Sequence, residues 1–322
     1  MKKRNLLRGI IVAFTSLICA WSVFVIVVLN SVDPLKSNLE VKDENTLSTS
    51  EDNIKILHLT DLQFSTFSAA AIAFNAARKT IERTKPDLIV LTGDNITHLA
   101  DKTHSKLLIN FMDKFEIPWA LTFGNHDYDA IIPVEEQSEM YENSKYGIFK
   151  RGNLKESAGN YYYNIERNGN IVYSLFFMNT HKKGFIKEQV DWYENSVNEI
   201  KVKNNNVVVD SMIFFHIPLL ETKDAYEAYL KDSSIGKGKH YEKIASQTTS
   251  VGMFDKIKEL GSTKLLGYGH DHVNYTTIEY EGVIFSYGGK TGKTSYYGMN
   301  IQGGVVYSID NSNNITIERV FI

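Results

Sequence analysis

Cysteine is almost missing from this 322-residue chain. The single one, Cys19, lies in an apolar N-terminal run, so neither a disulfide framework nor a thiolate metal site is available to the rest. A surplus of positive charge is missing too. The net charge is −3, and residues 1–30 hold Lys2, Lys3, Arg4 and Arg8 with no acid, which leaves −7 on the remainder. A nucleic-acid binder needs a basic face, so no nucleic-acid partner is expected. There is no internal repeat.

Residues 10–29 form a run of 20 without a charge. That length suffices for one helix to cross the bilayer core. The basic cluster before it predicts a cytoplasmic N-terminus over residues 1–9 and a single-pass anchor over 10–29. The rest of the chain is then expected outside the cell membrane. A cleaved signal peptide fits less well: its apolar region is usually shorter, and Val28-Leu29-Asn30-Ser31 is a poor match to a small-residue cleavage site. Lipid attachment at Cys19 is disfavoured by the bulky Ile18 before it. Residues 30–53 are polar, rich in Ser, Asn, Asp and Glu, and read as a flexible stalk. Residues 54–322 are expected to form one domain.

Within that domain, short apolar runs at 54–60, 87–92, 117–123, 171–179 and 211–215 read as buried strands. Helical patterns at 68–84, 105–114, 187–201 and 251–260 separate several of them. This alternation predicts an α/β protein with sheets flanked by helices. Residues 275–322 read as a strand meander, with turns at 281–282 and 311–314.

Chemistry-bearing residues follow the strands. The first ends in Asp61-Leu62-Gln63, the second in Gly93-Asp94-Asn95, and the third in Gly124-Asn125-His126-Asp127. A later strand carries His216, and Leu265-Leu266 leads into Gly267-Tyr268-Gly269-His270-Asp271-His272. Each motif alone is weak, since Gly-Asp is a common turn. The set is informative because strand ends in layered α/β folds are where sites form. Carboxylate, amide and imidazole donors without thiolate suit Mn, Zn, Fe or Mg. Seven candidate ligands exceed what one open catalytic metal needs and suit two metals sharing a carboxylate.

The ordered set D-x-Q, G-D-N, G-N-H-D, H and G-H-D-H resembles the calcineurin-like metallophosphoesterase family, most closely its single-domain, purple-acid-phosphatase-like branch. Supporting cues are Gly184-Phe185-Ile186 with Gln189 and Trp192, and Phe214 to Leu219. The resemblance implies a four-layer α/β/β/α sandwich and a metal-dependent hydrolase of phosphoesters. One divalent metal would be held by Asp61, Gln63, Asp94 and His272. The other would be held by Asp94, Asn125, His216 and His270, with Asp94 bridging. His126 would serve the leaving group or the phosphate oxygens, Asp127 would orient His126, and Asn125 would also lie near the substrate phosphate. Gln63 stands where the family usually has His, which favours a harder metal, Mn above Fe, Zn or Mg. Thr97 stands where purple acid phosphatases place a metal-binding Tyr, so no purple colour is expected.

A phosphatase acting outside the membrane is the leading expectation. A phosphodiesterase acting on nucleotides or on lipid- or wall-linked esters is the enzymatic alternative, and an inactive metal-binding scaffold the non-enzymatic one. The segment from Gly288 to Thr294 mimics a P-loop, but the spacing needs Gly where Tyr287 stands. It reads as a loop beside the site, with Lys290 a possible phosphate contact. His58 reads as structural, His181 as a loop residue within reach of substrate, and His98, His104 and His240 as surface residues.

Overall fold

The computed structural model describes residues 31–43 and 45–322, together with Thr15, Ser16, Val23 and Val27. The chain begins with strands β1 (Glu40–Asp43), β2 (Thr46–Thr49) and β3 (Ile54–Leu59). It continues through α1 (Phe67–Thr84), β4 (Leu88–Thr92), α2 (Lys102–Asp113), β5 (Trp119–Thr122) and α3 (Val134–Glu142). Then come β6 (Tyr161–Arg167), β7 (Asn170–Phe177), α4 (Lys187–Lys203), β8 (Ser211–Phe214) and α5 (Thr222–Lys231). Next follow β9 (Gly236–Lys237), α6 (Met253–Leu260), β10 (Thr263–Tyr268), β11 (Thr277–Tyr280) and β12 (Val283–Tyr287). A final hairpin pairs β13 (Gly303–Ile309) with β14 (Ile315–Phe321).

The strands form two sheets. One has five strands in the order β14-β13-β3-β4-β5, and the other nine in the order β1-β2-β6-β7-β8-β10-β12-β11-β9. In the first, β3, β4 and β5 run parallel; in the second, β7, β8, β10 and β12 do. Every residue of β4 is buried, as a parallel strand covered on both faces requires. The inner strands of the larger sheet divide their side chains between two cores. Leu175, Phe177, Met212, Phe214 and Leu265 face the smaller sheet. Their neighbours Phe176, Ile213 and Leu266 turn the other way, against Val190, Tyr193 and Ile257 of α4 and α6. On the smaller sheet, α1 buries Ala70, Ala73, Phe74, Ala77 and Ile81 at helical spacing. Phe74 stacks on Phe111 of α2 at 4.3 Å. Thr66 caps α1, its hydroxyl accepting from the Ala69 N–H at 3.2 Å.

The expected stalk is corrected here. Residues 30–53 were read as flexible because they are polar, yet β1 and β2 extend the larger sheet, with β2 pairing parallel to β6. Three apolar residues suffice to dock the segment: Val32, Leu39 and Leu47 all join the core. Backbone pairing to the free edge of β6 and hydrogen bonds from Leu35, Ser37 and Asn38 to Phe115 and Asp87 add to this, and composition registers neither. Among the described residues no helix is long and apolar enough to cross a membrane. The anchor expected over 10–29 lies outside the described residues apart from Thr15, Ser16, Val23 and Val27. The expected C-terminal meander is split, since β11–β12 belongs to one sheet and β13–β14 to the other. Both of its turns are present.

Candidate metal centre

The parallel strands deliver five loops to one seam. Asp61 and Gln63 follow β3, Asp94 follows β4, and Asn125 and His126 follow β5. From the larger sheet, His216 follows β8, and His270 and His272 follow β10. Four of these residues have left-handed backbones: Asp61 at φ 56°, Gln63 at 43°, Asp94 at 50° and His270 at 75°. Such conformations cost on the order of 1 kcal/mol or more each in non-glycine residues. Ties between loops hold them. Gln63 N–H donates to the Asp94 carbonyl at 2.9 Å, His126 N–H to Asp94 Oδ1 at 2.8 Å, and His270 N–H to Asp61 Oδ2 at 3.1 Å. Two glycines make room for the carboxylates. A Cβ on Gly124 would lie 2.3 Å from Asp94 Oδ1, and one on Gly269 2.7 Å from Asp61 Oδ2.

Two ligand groups result, Asp94–His216–His270 and Asp61–Asp94–His272, each with its donor atoms within 4.8 Å of one another. Asp94 belongs to both. His216 Nε2 lies 3.3 Å from Asp94 Oδ1, and His272 Nε2 lies 3.4 Å from Asp61 Oδ1. The far ring nitrogens are fixed by backbone carbonyls. His216 Nδ1 donates to the Thr92 carbonyl at 2.7 Å, and His272 Nδ1 to the Tyr296 carbonyl at 2.9 Å. Each Nε2 therefore presents its lone pair to the seam, as metal-binding imidazoles are held. Asp61 Oδ1 and Asn125 Oδ1 are buried without a hydrogen-bond partner. A buried carboxylate oxygen lacking a donor is costly, and divalent cations would satisfy both atoms, so the donor set fits two metals.

Without metal, the buried carboxylates draw positive charge onto the neighbouring imidazole of His216. Burial would lower the His216 imidazole, but the Asp94 and Asp61 carboxylates outweigh it and raise it to about 9. Burial opposes ionisation of Asp61, yet His272, His216 and Lys290 hold its carboxyl well below the usual range. His270 is pushed down to about 4 by burial and by the neighbouring His216.

Three expected roles change. Gln63 lies at the site, but its amide is engaged: Nε2 donates to Asp94 Oδ2 and Oε1 accepts from Lys290 Nζ, both at 3.0 Å. Lys290, read as a possible phosphate contact, is buried beneath the ligands and also donates to the Asp61 carbonyl at 2.8 Å. Burial lowers its ammonium to about 8. Asp127 does not orient His126. Its carboxylate accepts from the N–H groups of Asn95, Ile96 and Gly124, tying two ligand loops together. His126 Nδ1 instead meets Asp129 Oδ2 at 2.9 Å, and Lys182 Nζ braces Asp129 at 2.7 Å.

The remaining histidines separate clearly. His58 is fully buried between Tyr307 and Thr92 and lowered to about 3 by burial. His181 bonds Ser157 at 2.7 Å. His104 is a buried capping partner of Asp101 rather than a surface residue, and His240 stacks on Tyr226 at 3.7 Å. His98 is exposed and stacks near His126, with ring centroids 5.9 Å apart. A cleft of about 380 Å³ opens between Gln63, Thr97, His98 and His126. A larger cavity, about 760 Å³, lies under Trp192 and Lys150, and none of the candidate ligands lines it. The sequence reading missed Asp129 and Tyr296. A D-x-D spacing after His126 could have flagged the first; nothing local marks the second, whose carbonyl reaches back 24 residues.

Comparison with known proteins agrees with this geometry. Residues 54–274 match the family model described as calcineurin-like phosphoesterase. Probable inactive purple acid phosphatase 28 of Arabidopsis thaliana is 27% identical over 253 residues, 68% of this chain and 62% of that protein. Phosphatase DCR2 of Saccharomyces cerevisiae is 28% identical over 269 residues, 70% of this chain and 45% of that protein. The chain thus spans about six-tenths or less of the length of these relatives. A dimetal phosphatase from Danio rerio shares the fold with a TM-score of 0.51 at 12% identity, covering 83% of this chain and 96% of that one. The protein is a member of the calcineurin-like phosphoesterase family.

Proposed function

We propose that this protein hydrolyses phosphoester bonds using two divalent metals, one held by Asp61, Asp94 and His272 and the other by Asp94, Asn125, His216 and His270. The observation that carries this reading is the pair of donor groups sharing Asp94, together with the buried, unpartnered oxygens of Asp61 and Asn125. Two such metals would supply Lewis-acid charge for the phosphate oxygens and acidify a bound water. The chain's own residues do the remainder. His126, about one-third exposed at the mouth of the cleft, offers Nε2 to the leaving oxygen, while Asp129 holds Nδ1 and fixes the ring's orientation. Asn125 orients the phosphate. Gln63 holds the Asp94 carboxylate through its Nε2, and Lys290 in turn holds Gln63 and the Asp61 backbone.

Several relatives are named inactive, and a metal-binding scaffold would share the same pocket. The deciding experiment is hydrolysis of simple phosphate monoesters and diesters by the full chain after chelation and metal add-back. Activity is expected with metal and not without, with Mn²⁺ most effective because the Asp61 and Asp94 carboxylates outnumber the single imidazole in one half of the site. Bound metal without turnover on any ester would favour the scaffold. We place the domain outside the cell membrane on the N-terminal charge asymmetry. Protease added to intact cells is then expected to digest it, and protection until lysis would reverse the orientation.

A further inference from the structure

The cleft beside the metal centre does not end at His126. Ile72 and Lys293 line both it and an adjoining depression of about 160 Å³ that reaches Asn75 and Lys79. The two make one groove along α1. Ser68 lies near its metal end and Lys79 at its far end, which are 11 residues or roughly 16 Å apart at helical rise.

The groove's charge departs from that of its surroundings. Beyond the N-terminal run the chain carries a surplus of acid, yet no Asp or Glu side chain lines either part of the groove, and the one acidic group in its wall is the α-carboxylate of Ile322 in the outer depression. Many surface lysines are paired, as Lys42 is with Glu166, Lys182 with Asp129 and Lys256 with Glu194. Lys293 and Lys79 are exposed, and neither is in an ion pair among the described residues. Between the metal centre and Lys293 the wall is hydroxylic, with Ser65, Ser68, Thr294 and Ser295. Ser65 and Ser68 flank the first turn of α1, where unsatisfied N–H groups favour negative charge. The wall is hydroxylic beside the metal centre and gains the Lys293 ammonium where the two parts meet, which suits a leaving group that carries its own anion.

We propose that the groove is a second anion subsite and that the substrate is a phosphoester whose leaving group bears a further phosphate, placed against Lys293 with Lys79 beyond it. The proposal rests on the phosphoester reading above. A simple aryl phosphate would use only the metal centre. A bisphosphate would use both, gaining a charge-assisted contact that the monophosphate lacks.

The test compares a hexose bisphosphate with the matching hexose monophosphate on the full chain loaded with Mn²⁺. The ratio of kcat/KM values is expected to favour the bisphosphate by about tenfold at low salt, since a hydrogen bond to a charged group is worth that order. It should shrink as salt rises, because the lysines are exposed. Lys293→Ala is expected to bring the ratio close to one, and Lys79→Ala to lower it less. A ratio near one in the wild type, or an unchanged ratio in Lys293→Ala, would overturn the subsite. If neither ester is turned over, the phosphoester reading itself fails, and calorimetric affinity then judges the groove alone. Tighter binding of the bisphosphate, lost in Lys293→Ala, supports the anion subsite; equal affinities refute it.

Discussion

The two sheets contribute differently to the seam between them. The five-stranded sheet brings oxygen donors, Asp61, Asp94 and Asn125. The nine-stranded sheet brings nitrogen donors, His216, His270 and His272. Neither sheet holds a complete ligand group, so metal affinity belongs to their packing and not to either loop set. Left-handed backbone is concentrated on the oxygen side, at Asp61, Gln63 and Asp94, with His270 the one nitrogen ligand that shares it. The oxygen side shapes the site mainly through its backbone, and the nitrogen side through His216 and His272, whose imidazoles are pinned at their far nitrogens.

Asp94→Asn is the largest expected break in this division of labour, since its carboxylate serves both groups. Metal analysis should find both ions lost and turnover down by roughly 10⁴-fold or more, in line with loss of the main electrostatic stabilisation. Retention of one full equivalent of metal would show that Asp94 does not bridge. The nitrogen side should come apart one half at a time. His216→Ala and His272→Ala should each retain close to one metal while losing the other, and calorimetric titration of the metal-free protein with Mn²⁺ reads the difference. Loss of both ions from either variant would mean that the halves are not separable.

His126→Ala tests a residue on neither ligand list. Turnover of an alkyl phosphate should drop about 10²–10⁴-fold with both metals still bound, and the loss should shrink for nitrophenyl phosphate, whose leaving group needs little protonation. Equal losses on the two esters would leave His126 only a phosphate-binding role. The smallest effect separates two neighbouring carboxylates. Asp129→Asn should lower turnover roughly tenfold and reshape its pH profile, by analogy with other groups that orient a reactive imidazole, with little change in Tm. Asp127→Asn should instead lower Tm, because the amide cannot accept all three N–H groups that the carboxylate now serves. The reverse pattern would restore Asp127 as the orienting group.

The residues that gather in the two candidate groups, Asp61, Asp94, His216, His270 and His272, are legible in the sequence because their motifs sit at strand ends, and strand ends can be read from apolar runs such as 87–92. The helices 67–84, 187–203 and 253–260 were legible for the same reason, each carrying its apolar stripe. What escaped the sequence depends on distant partners. Helices α3 and α5 bury little apolar surface, with Gln137 and Ser138 among the four buried residues of α3 and only Thr222 and Ala225 buried in α5, so their pattern is faint. The docking of residues 31–53 rests on a few apolar side chains, an open sheet edge and hydrogen bonds to the distant Asp87 and Phe115. Gln63 reads as a ligand in sequence because the buried Lys290 that engages its amide lies 227 residues away. Asp129 was overlooked because a one-turn 3-10 segment at Asp127–Asp129 carries the second acid, not the first, back towards the imidazole.

The glycines that clear space for Asp94 and Asp61 have a consequence for how this sequence can drift. Gly124 belongs to the motif after β5 but shelters a carboxylate of the motif after β4. Gly269 belongs to the motif after β10 but shelters one of the motif after β3. A methyl group in either place would not disturb its own loop first; it would push on Asp94 in one case, and in the other on Thr60 and the Asp61 carboxylate that Thr60 donates to. The motifs are thus interlocked, and a tolerated change in one requires a matching change in another, which single substitutions rarely provide. A lineage that abandons the chemistry is released from this lock and should lose glycines and carboxylates together. One that keeps the metals should keep all of these positions, however far the loops between them diverge.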